Sequence, residues 1–278
     1  MYSTVPFKGL VEFSPGFSPR SQISHVVFDF DGTLSWLRHG WPELMCEVFQ
    51  RYLPTTSGET GESIHDLLLE DILGLNGKPS IHQMRLGAQR LRERGARSPE
   101  PEELLRQYQE LLAAMIRERT GAILSGQARR EDFVVHGARA LLEALSRRGL
   151  TLAILSGTIE HQVKQEAELL DLTRYFGRHI YGGTADAVQS SKRAVIGRLL
   201  REEKITGEHL LSFGDGPVEM AVTKEVAGLA VGVASDEEQN GSGVLQPQKR
   251  KVLSAAGADV LVPDYRDGAA LIECILAQ

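Results

Sequence analysis

The sequence predicts an α/β protein: a doubly wound parallel sheet with a helical segment inserted after its first strand. Three observations lead there. Short apolar runs ending in Gly, Ser or Asp recur along the chain, helical patterns lie between them, and one long region, about 36 to 132, is helical throughout.

The apolar runs fall at 25–30 (HVVFDF), 151–156 (TLAILS), 179–182 (HIYG), 210–214 (LLSFG), 228–234 (GLAVGVA) and 258–263 (ADVLVP). Their hydrophobicity is continuous rather than alternating, as in strands buried on both faces. Helical patterns follow at 137–148, with Ala140, Leu141 and Leu145, and at 160–172, 190–203, 217–226, 247–256 and 267–277. Strands alternating with helices imply parallel βαβ units.

Residues 36–132 break that rhythm, because Ile64, Leu67 and Leu68, then Leu104, Leu105, Leu111, Leu112 and Met115, recur at helical spacing. The stretch from Gly121 to Arg130 reads as a turn or linker, and 132–137 leads back to the sheet. The expected division is an N-terminal extension at 1–22, a sheet domain made of 23–35 and 133–278, and the helical insertion at 36–132.

A chain of 278 residues has room for a sizeable core, and its 42% hydrophobic and 24% charged content is that of a globular protein. The net charge of −6 gives no electrostatic reason to expect nucleic acid or an anionic membrane as a partner. The basic stretch Arg90, Arg92, Arg94, Arg97 reads as a solvated helix face, since Glu93, Glu100, Glu102 and Glu103 lie close by. Cys46 and Cys274 are far apart, with no Cys or His at metal-site spacing, so neither a disulfide nor a zinc site is expected. With no signal-like or membrane-length apolar stretch, the expected location is the cytoplasm.

In an open parallel sheet, ligands bind beyond the carboxyl ends of the strands. Those ends carry Asp29 and Asp31 after the first run, Ser156 and Gly157 after the second, and Asp215 after the fourth, with Lys192 opening the helix after the third. Asp29-Phe30-Asp31-Gly32 sets two carboxylates two residues apart before a glycine that permits a sharp turn. Gly214-Asp215-Gly216-Pro217-Val218-Glu219 ends another strand, with Pro217 suited to the first helical position and Glu219 in the first turn. Carboxylates converging in one crevice call for a cation, and all-oxygen ligands favour magnesium. Ser156 and the N–H groups beside it read as an anion site at a helix N-terminus. Lys192 sits where the helix dipole disfavours a cation, which a bound phosphate would offset. A second Leu-Ser-Gly at 124–126 follows a helical pattern and is assigned to a linker; Gly182-Gly183 and Gly241-Ser242-Gly243 lack a following lysine and read as turns. The eight histidines form no pair at metal spacing, and only His39 falls near the crevice.

With Asp29-x-Asp31-Gly32-Thr33, Leu155-Ser156-Gly157, Lys192 and Gly214-Asp215-Gly216-x-x-Glu219 in this order, the chain resembles the haloacid dehalogenase superfamily from 25 to 275. The layout is similar to phosphoglycolate phosphatases and β-phosphoglucomutases. The resemblance implies a Rossmann-like core with the insertion as a helical cap domain. It also implies Asp29 as nucleophile, Asp31 as general acid and base, and Ser156, Gly157 and Lys192 as phosphate holders. Magnesium would be bound by Asp29, the carbonyl of Asp31, and Asp215. Many relatives have aspartate where this chain has Glu219, whose longer side chain favours a water-mediated, outer-sphere contact. Dehalogenases of the superfamily lack an acid at position 31, so Asp31 points to phosphate esters.

The chemistry is consistent with those roles, because phosphoryl transfer rests on charge neutralisation and in-line positioning. The expected protein is thus a magnesium-dependent phosphatase acting on a small phosphorylated metabolite, a sugar phosphate included. A phosphomutase of the same superfamily shares all four motifs. A non-hydrolytic phosphoacceptor also gathers acids, a hydroxyl and a lysine on a doubly wound sheet, but is about half this length and has no cap, and intact Asp29, Asp31, Lys192 and Asp215 argue against an idle module that only binds a ligand. Specificity is expected from the inserted segment, with Arg38, His39 and Trp41 as candidates; the sequence leaves the oligomeric state open.

Overall fold

The computed structural model describes residues 11–54, 60–76, 78–186 and 188–276. Strands β1 (Glu12–Phe13), β2 (His25–Phe28), β3 (Thr151–Ile159), β4 (Ile180–Gly183), β5 (Leu210–Gly214), β6 (Leu229–Val233) and β7 (Val260–Val262) form one sheet in the order β1-β7-β6-β5-β2-β3-β4. All neighbours are parallel except β1, which pairs antiparallel with β7. From β2 the chain winds outward through β3 and β4, then returns to β2's other side and winds outward through β5, β6 and β7. That reversal of direction at β2 is the topological switch point at which such sheets bind ligands.

The continuous apolar runs follow from cover on both faces. Val26 and Phe28 of β2 pack with Leu152, Ile154, Leu211 and Phe213 against α5 (Ala138–Arg147), α6 (Glu160–Leu169) and α10 (Gly268–Leu276). Their neighbours Val27, Ala153, Leu155 and Leu210 point the other way, onto α7 (Lys192–Glu202) and α8 (Pro217–Glu225). Beside these, α9 (Pro247–Ala255) covers Ala230 and Leu261. Each fully buried Leu, Val or Phe contributes about 1.5–3 kcal/mol, so both layers are needed.

Between β2 and β3 lie α1 (Trp41–Gln50), α2 (Gly61–Gly74), α3 (Ile81–Glu93) and α4 (Pro101–Leu124). They build a separate apolar cluster around Met45, Val48, Phe49, Leu68, Ile72, Met84, Ala88 and Leu104. The helical insertion therefore has its own core, as its periodicity predicts. No helix among the described residues is long and apolar enough to cross a membrane.

Three details differ from the sequence reading. Residues 11–22 carry β1, a two-residue strand too short to show a pattern. Helix α4 continues to Leu124 through the expected linker at Gly121, because Ile123 is buried against the sheet domain's core. Strand β3 runs on to Ile159, so Ser156 lies inside extended backbone rather than at a helix N-terminus. Extended chain persists there because Gly182 of β4 lets the backbone approach: a Cβ at 182 would stand 2.6 Å from the carbonyl oxygen of Thr158.

Gly87 of α3 faces Phe49 of α1 so closely that an added Cβ would lie 2.3 Å from the ring. Phe49 is fully buried and has little room to retreat. Gly87→Ala is expected to overpack the inserted helices and lower stability by about 1–3 kcal/mol, read as a reduced urea midpoint. An unchanged midpoint would mean that the α1–α3 contact is looser than its geometry.

Candidate active site

The sheet register brings the predicted residues to one edge. Phe28 pairs with both Ile154 and Phe213, so Asp29 stands one residue, and Ser156 and Asp215 two residues, beyond the last positions at which β2 pairs with β3 and β5. Asp29 stays tied to the sheet through its N–H, which donates to the Phe213 carbonyl at 2.9 Å. The chain then turns sharply: the Gly32 N–H donates to the Ser35 carbonyl at 2.9 Å, with Gly32 at φ +73°, and a Cβ there would sit 2.3 Å from an Asp215 carboxylate oxygen. Glycine at 32 is thus required twice, by the turn and by the approach of Asp215. Ser235 Oγ donates to the Gly32 carbonyl at 3.0 Å and Tyr265 Oη to the Thr33 carbonyl at 2.9 Å, which pins the turn from the far strands.

Two lysines organise the acids. Lys192, the first residue of α7, donates from Nζ to Asp29 Oδ1 at 2.6 Å and also to Glu219. Lys249, on α9, lies 3.1 Å from Asp215 Oδ2, contacts Glu237 and donates to Ser235 Oγ at 3.1 Å. All but Glu237 are nearly inaccessible to solvent, and Glu237 is largely covered. Burial pushes Asp29 well above the ordinary carboxylate range, Lys192 pulling against it and Glu219 and Asp215 adding to it. Burial likewise lifts Asp215 to about 6 despite Lys249. For both lysines burial alone would favour the neutral amine, yet the paired carboxylates outweigh it and hold the ammonium above its usual value.

Asp31 faces a different set of partners. Its Oδ2 accepts from Thr158 Oγ1 at 2.8 Å and its Oδ1 lies 3.0 Å from Arg38 Nε, while Arg38 Nη2 donates to Glu166 Oε1 of α6 at 2.5 Å. Ser156 Oγ accepts from the Thr158 N–H at 3.0 Å, and Gly157 between them is exposed. The inserted helices touch this edge as well, since Asn76, just past α2, donates from Nδ2 to the Asp215 carbonyl at 3.3 Å.

Of the other candidates, Arg38 alone reaches the carboxylates. His39 stacks on Trp36 with ring centres 3.5 Å apart and is gripped by Arg119, and Trp41 packs against the inserted helices. Arg193 points outward to Glu225. Lys249, Glu237 and Glu166 went unnoticed in the sequence. Lys249 opens a Lys-Arg-Lys run whose other members pair on the surface with Glu12 and Glu70, and only the packing of α9 decides which faces in.

A family model described as haloacid dehalogenase-like hydrolase matches residues 23–226. No curated protein is similar to the chain by sequence. A predicted phosphoglycolate phosphatase from Haemophilus somnus 129PT superposes with a TM-score of 0.59 at 16% identity, over 91% of this chain and 97% of that one. A HAD family hydrolase from Deinococcus radiodurans R1, solved with bound phosphate and sodium, gives 0.59 at 18% over 92% and 98%. A candidate β-phosphoglucomutase from Thermotoga maritima gives 0.53 at 20% over 90% and 97%. At these identities the likeness is one of fold.

Glu166 offers a pH test of the buried pairs. Burial raises its carboxyl to about 7, against the pull of Arg38 and with Asp31 adding. The folded protein therefore holds this proton more tightly than the unfolded chain, and stability falls as pH rises from the ordinary glutamate range toward 7. Glu166→Gln is expected to remove that slope, the wild type losing roughly 1–3 kcal/mol relative to the variant across the window. Parallel denaturation profiles of the two proteins would refute it.

Proposed function

Because the chain belongs to the haloacid dehalogenase-like hydrolases, we propose that it is a magnesium-dependent phosphatase that cleaves a small phosphate ester through an aspartyl-phosphate on Asp29. The observation carrying this reading is the charge balance at the strand ends. Four carboxylates, Asp29, Asp215, Glu219 and Glu237, share two ammonium groups, Lys192 and Lys249, a formal excess of two negative charges in a largely buried cluster, which the raised proton affinities of Asp29 and Asp215 reflect when no cation is bound. Oxygen Oε2 of Glu219 is buried without a hydrogen-bond partner. An all-oxygen donor set with two excess negative charges suits a hard divalent cation.

Asp29, the main-chain carbonyl of Asp31, and Asp215 would hold that ion, with Glu219 reaching it through water. When bound, magnesium supplies charge neutralisation at the phosphoryl oxygens. Lys192, the Ser156 hydroxyl and the Gly157 N–H hold the remaining phosphate oxygens. Asp29 attacks phosphorus, forming a carboxylate–phosphorus bond as the ester P–O bond breaks. Asp31 gives its proton to the departing alcohol, then takes one from the water that attacks the aspartyl-phosphate, releasing phosphate and restoring Asp29. The helical insertion at 36–132 acts as a cap that opens for substrate and excludes bulk water between the two half-reactions. The Asn76 contact supports this, because it sets the insertion directly against the acids.

Released phosphate, measured over a panel of small esters including sugar phosphates, tests the assignment. Turnover is expected to vanish on exhaustive chelation and return with magnesium; undiminished turnover without divalent ions would overturn the metal assignment. Transfer of the phosphoryl group to a second sugar hydroxyl, with no free phosphate, would make the enzyme a mutase.

The two aspartates should separate cleanly. Asp29→Asn is expected to abolish turnover and any phosphoprotein trapped by acid quenching. Asp31→Asn loses only proton transfer, worth about 10²–10⁴-fold, and where that step limits turnover the loss is smaller for an aryl phosphate than for an alkyl phosphate. Equal losses on both esters would remove Asp31 from the acid role.

A further inference from the structure

We propose that Glu43, Cys46 and His65 form a second metal site, for a borderline-soft divalent ion such as zinc or cobalt, between the first two inserted helices. Helix α1 presents Glu43 and Cys46 three residues apart on one face, and α2 lays His65 against them. One ligand atom from each residue lies within 4.8 Å of the other two. Carboxylate oxygen, imidazole nitrogen and sulfur is a donor set for zinc-like ions and not for magnesium, whose ligands are oxygens. The cluster is therefore chemically distinct from the acids at the strand ends.

The geometry is close to what such an ion needs. Donors at about 2.0–2.3 Å from a tetrahedral ion stand roughly 3.3–3.8 Å apart, so no pair in the cluster has to close by more than about an ångström, while Glu43 and His65, now in direct contact, have to part slightly to admit the ion. Glu43 Oε2 and His65 Nε2 already meet at 2.7 Å, which aims that nitrogen into the cluster. The other ring nitrogen, Nδ1, faces Asp66 Oδ1 at 3.9 Å, placing a carboxylate behind the imidazole as in many histidine–metal pairs. Cys46 is buried at the base, His65 is partly exposed and Glu43 is exposed, so an ion enters from solvent and keeps a water as its fourth ligand. Burial pushes the free Cys46 thiol up to about 12, with Glu43 adding. Binding therefore forms one sulfur–metal bond, breaks one S–H bond and sends that proton to solvent. None of the three residues was grouped from the sequence, because 19 positions separate Cys46 from His65 and no ligand spacing links them.

Cobalt(II) added to the full-length chain in excess magnesium tests the site without reference to turnover. One equivalent is expected to give visible tetrahedral bands and a near-ultraviolet thiolate-to-cobalt band. Both should disappear in C46S, persist in C274S, and need at least about tenfold more cobalt in H65Q. Zinc should raise the thermal midpoint of the wild type and leave that of H65Q unchanged, a comparison that holds even if C46S fails to fold. No thiolate band at millimolar cobalt, or a band and a zinc-induced shift that survive in H65Q, would overturn the site.

Discussion

Burial of charge at the carboxyl ends of the central strands is the constraint on which the rest of the molecule depends. Removing one partner of a buried ion pair leaves the other uncompensated, at a cost of about 3–5 kcal/mol. Here the pairs are chained: Asp29 and Glu219 share Lys192, while Asp215 and Glu237 share Lys249. Residues contributed by β2, β5, the turn after β6, α7, α8 and α9 must therefore arrive together, so the sheet order and the site specify one another.

The turn after β2 shows how tightly backbone and charge are joined. Gly32 permits the reversal and clears space for Asp215, while Ser235 and Tyr265 hold its carbonyls from strands on the far side of the switch point. Ser235 also accepts from Lys249, so one hydroxyl links the turn to the lysine that neutralises Asp215. A side chain at 32 would disturb two strands and an ion pair at once. The same economy places Arg38, a few residues downstream, between Asp31 and Glu166 at the base of the segment leading into α1.

Most of the sheet and the line of residues along its edge could be read from the chain because the physics involved is local. A strand buried on both faces is apolar throughout, and an Asp or Ser closing such a run is conspicuous. Asp29, Ser156 and Asp215 close such runs, Asp31 and Glu219 follow a few residues later and Lys192 opens the helix after β4, and the structure gathers them at one end of the sheet. What escaped was set by packing at long range. Lys249 is indistinguishable in sequence from Arg250 and Lys251 until α9 docks, and Glu166 becomes Arg38's partner only when α6 covers the sheet. Ser156 was expected at a helix N-terminus because its hydroxyl and the N–H groups beside it close an apolar run; the strand continues because a glycine on the neighbouring strand makes room for it.

The two halves of the chain divide the physical work unequally. The sheet domain carries the charge cluster and is covered on both faces, so its strand ends are held by hydrogen bonds and ion pairs that leave little freedom. The inserted helices have a separate core and meet the strand ends through few polar links, among them Asn76 to the Asp215 carbonyl and the Gly40 N–H to Glu237. Polar links of this kind are each worth about 0.5–1.5 kcal/mol net, far less than the apolar burial within either core. On the function proposed above, an insertion attached in this way would shift against the sheet about its α4 end, where Ile123 joins the sheet's core, while the acids it covers keep their geometry. That asymmetry, a tightly paired charge cluster beneath separately packed helices, would suit the proposed reaction, in which substrate and water must reach the same carboxylates in turn.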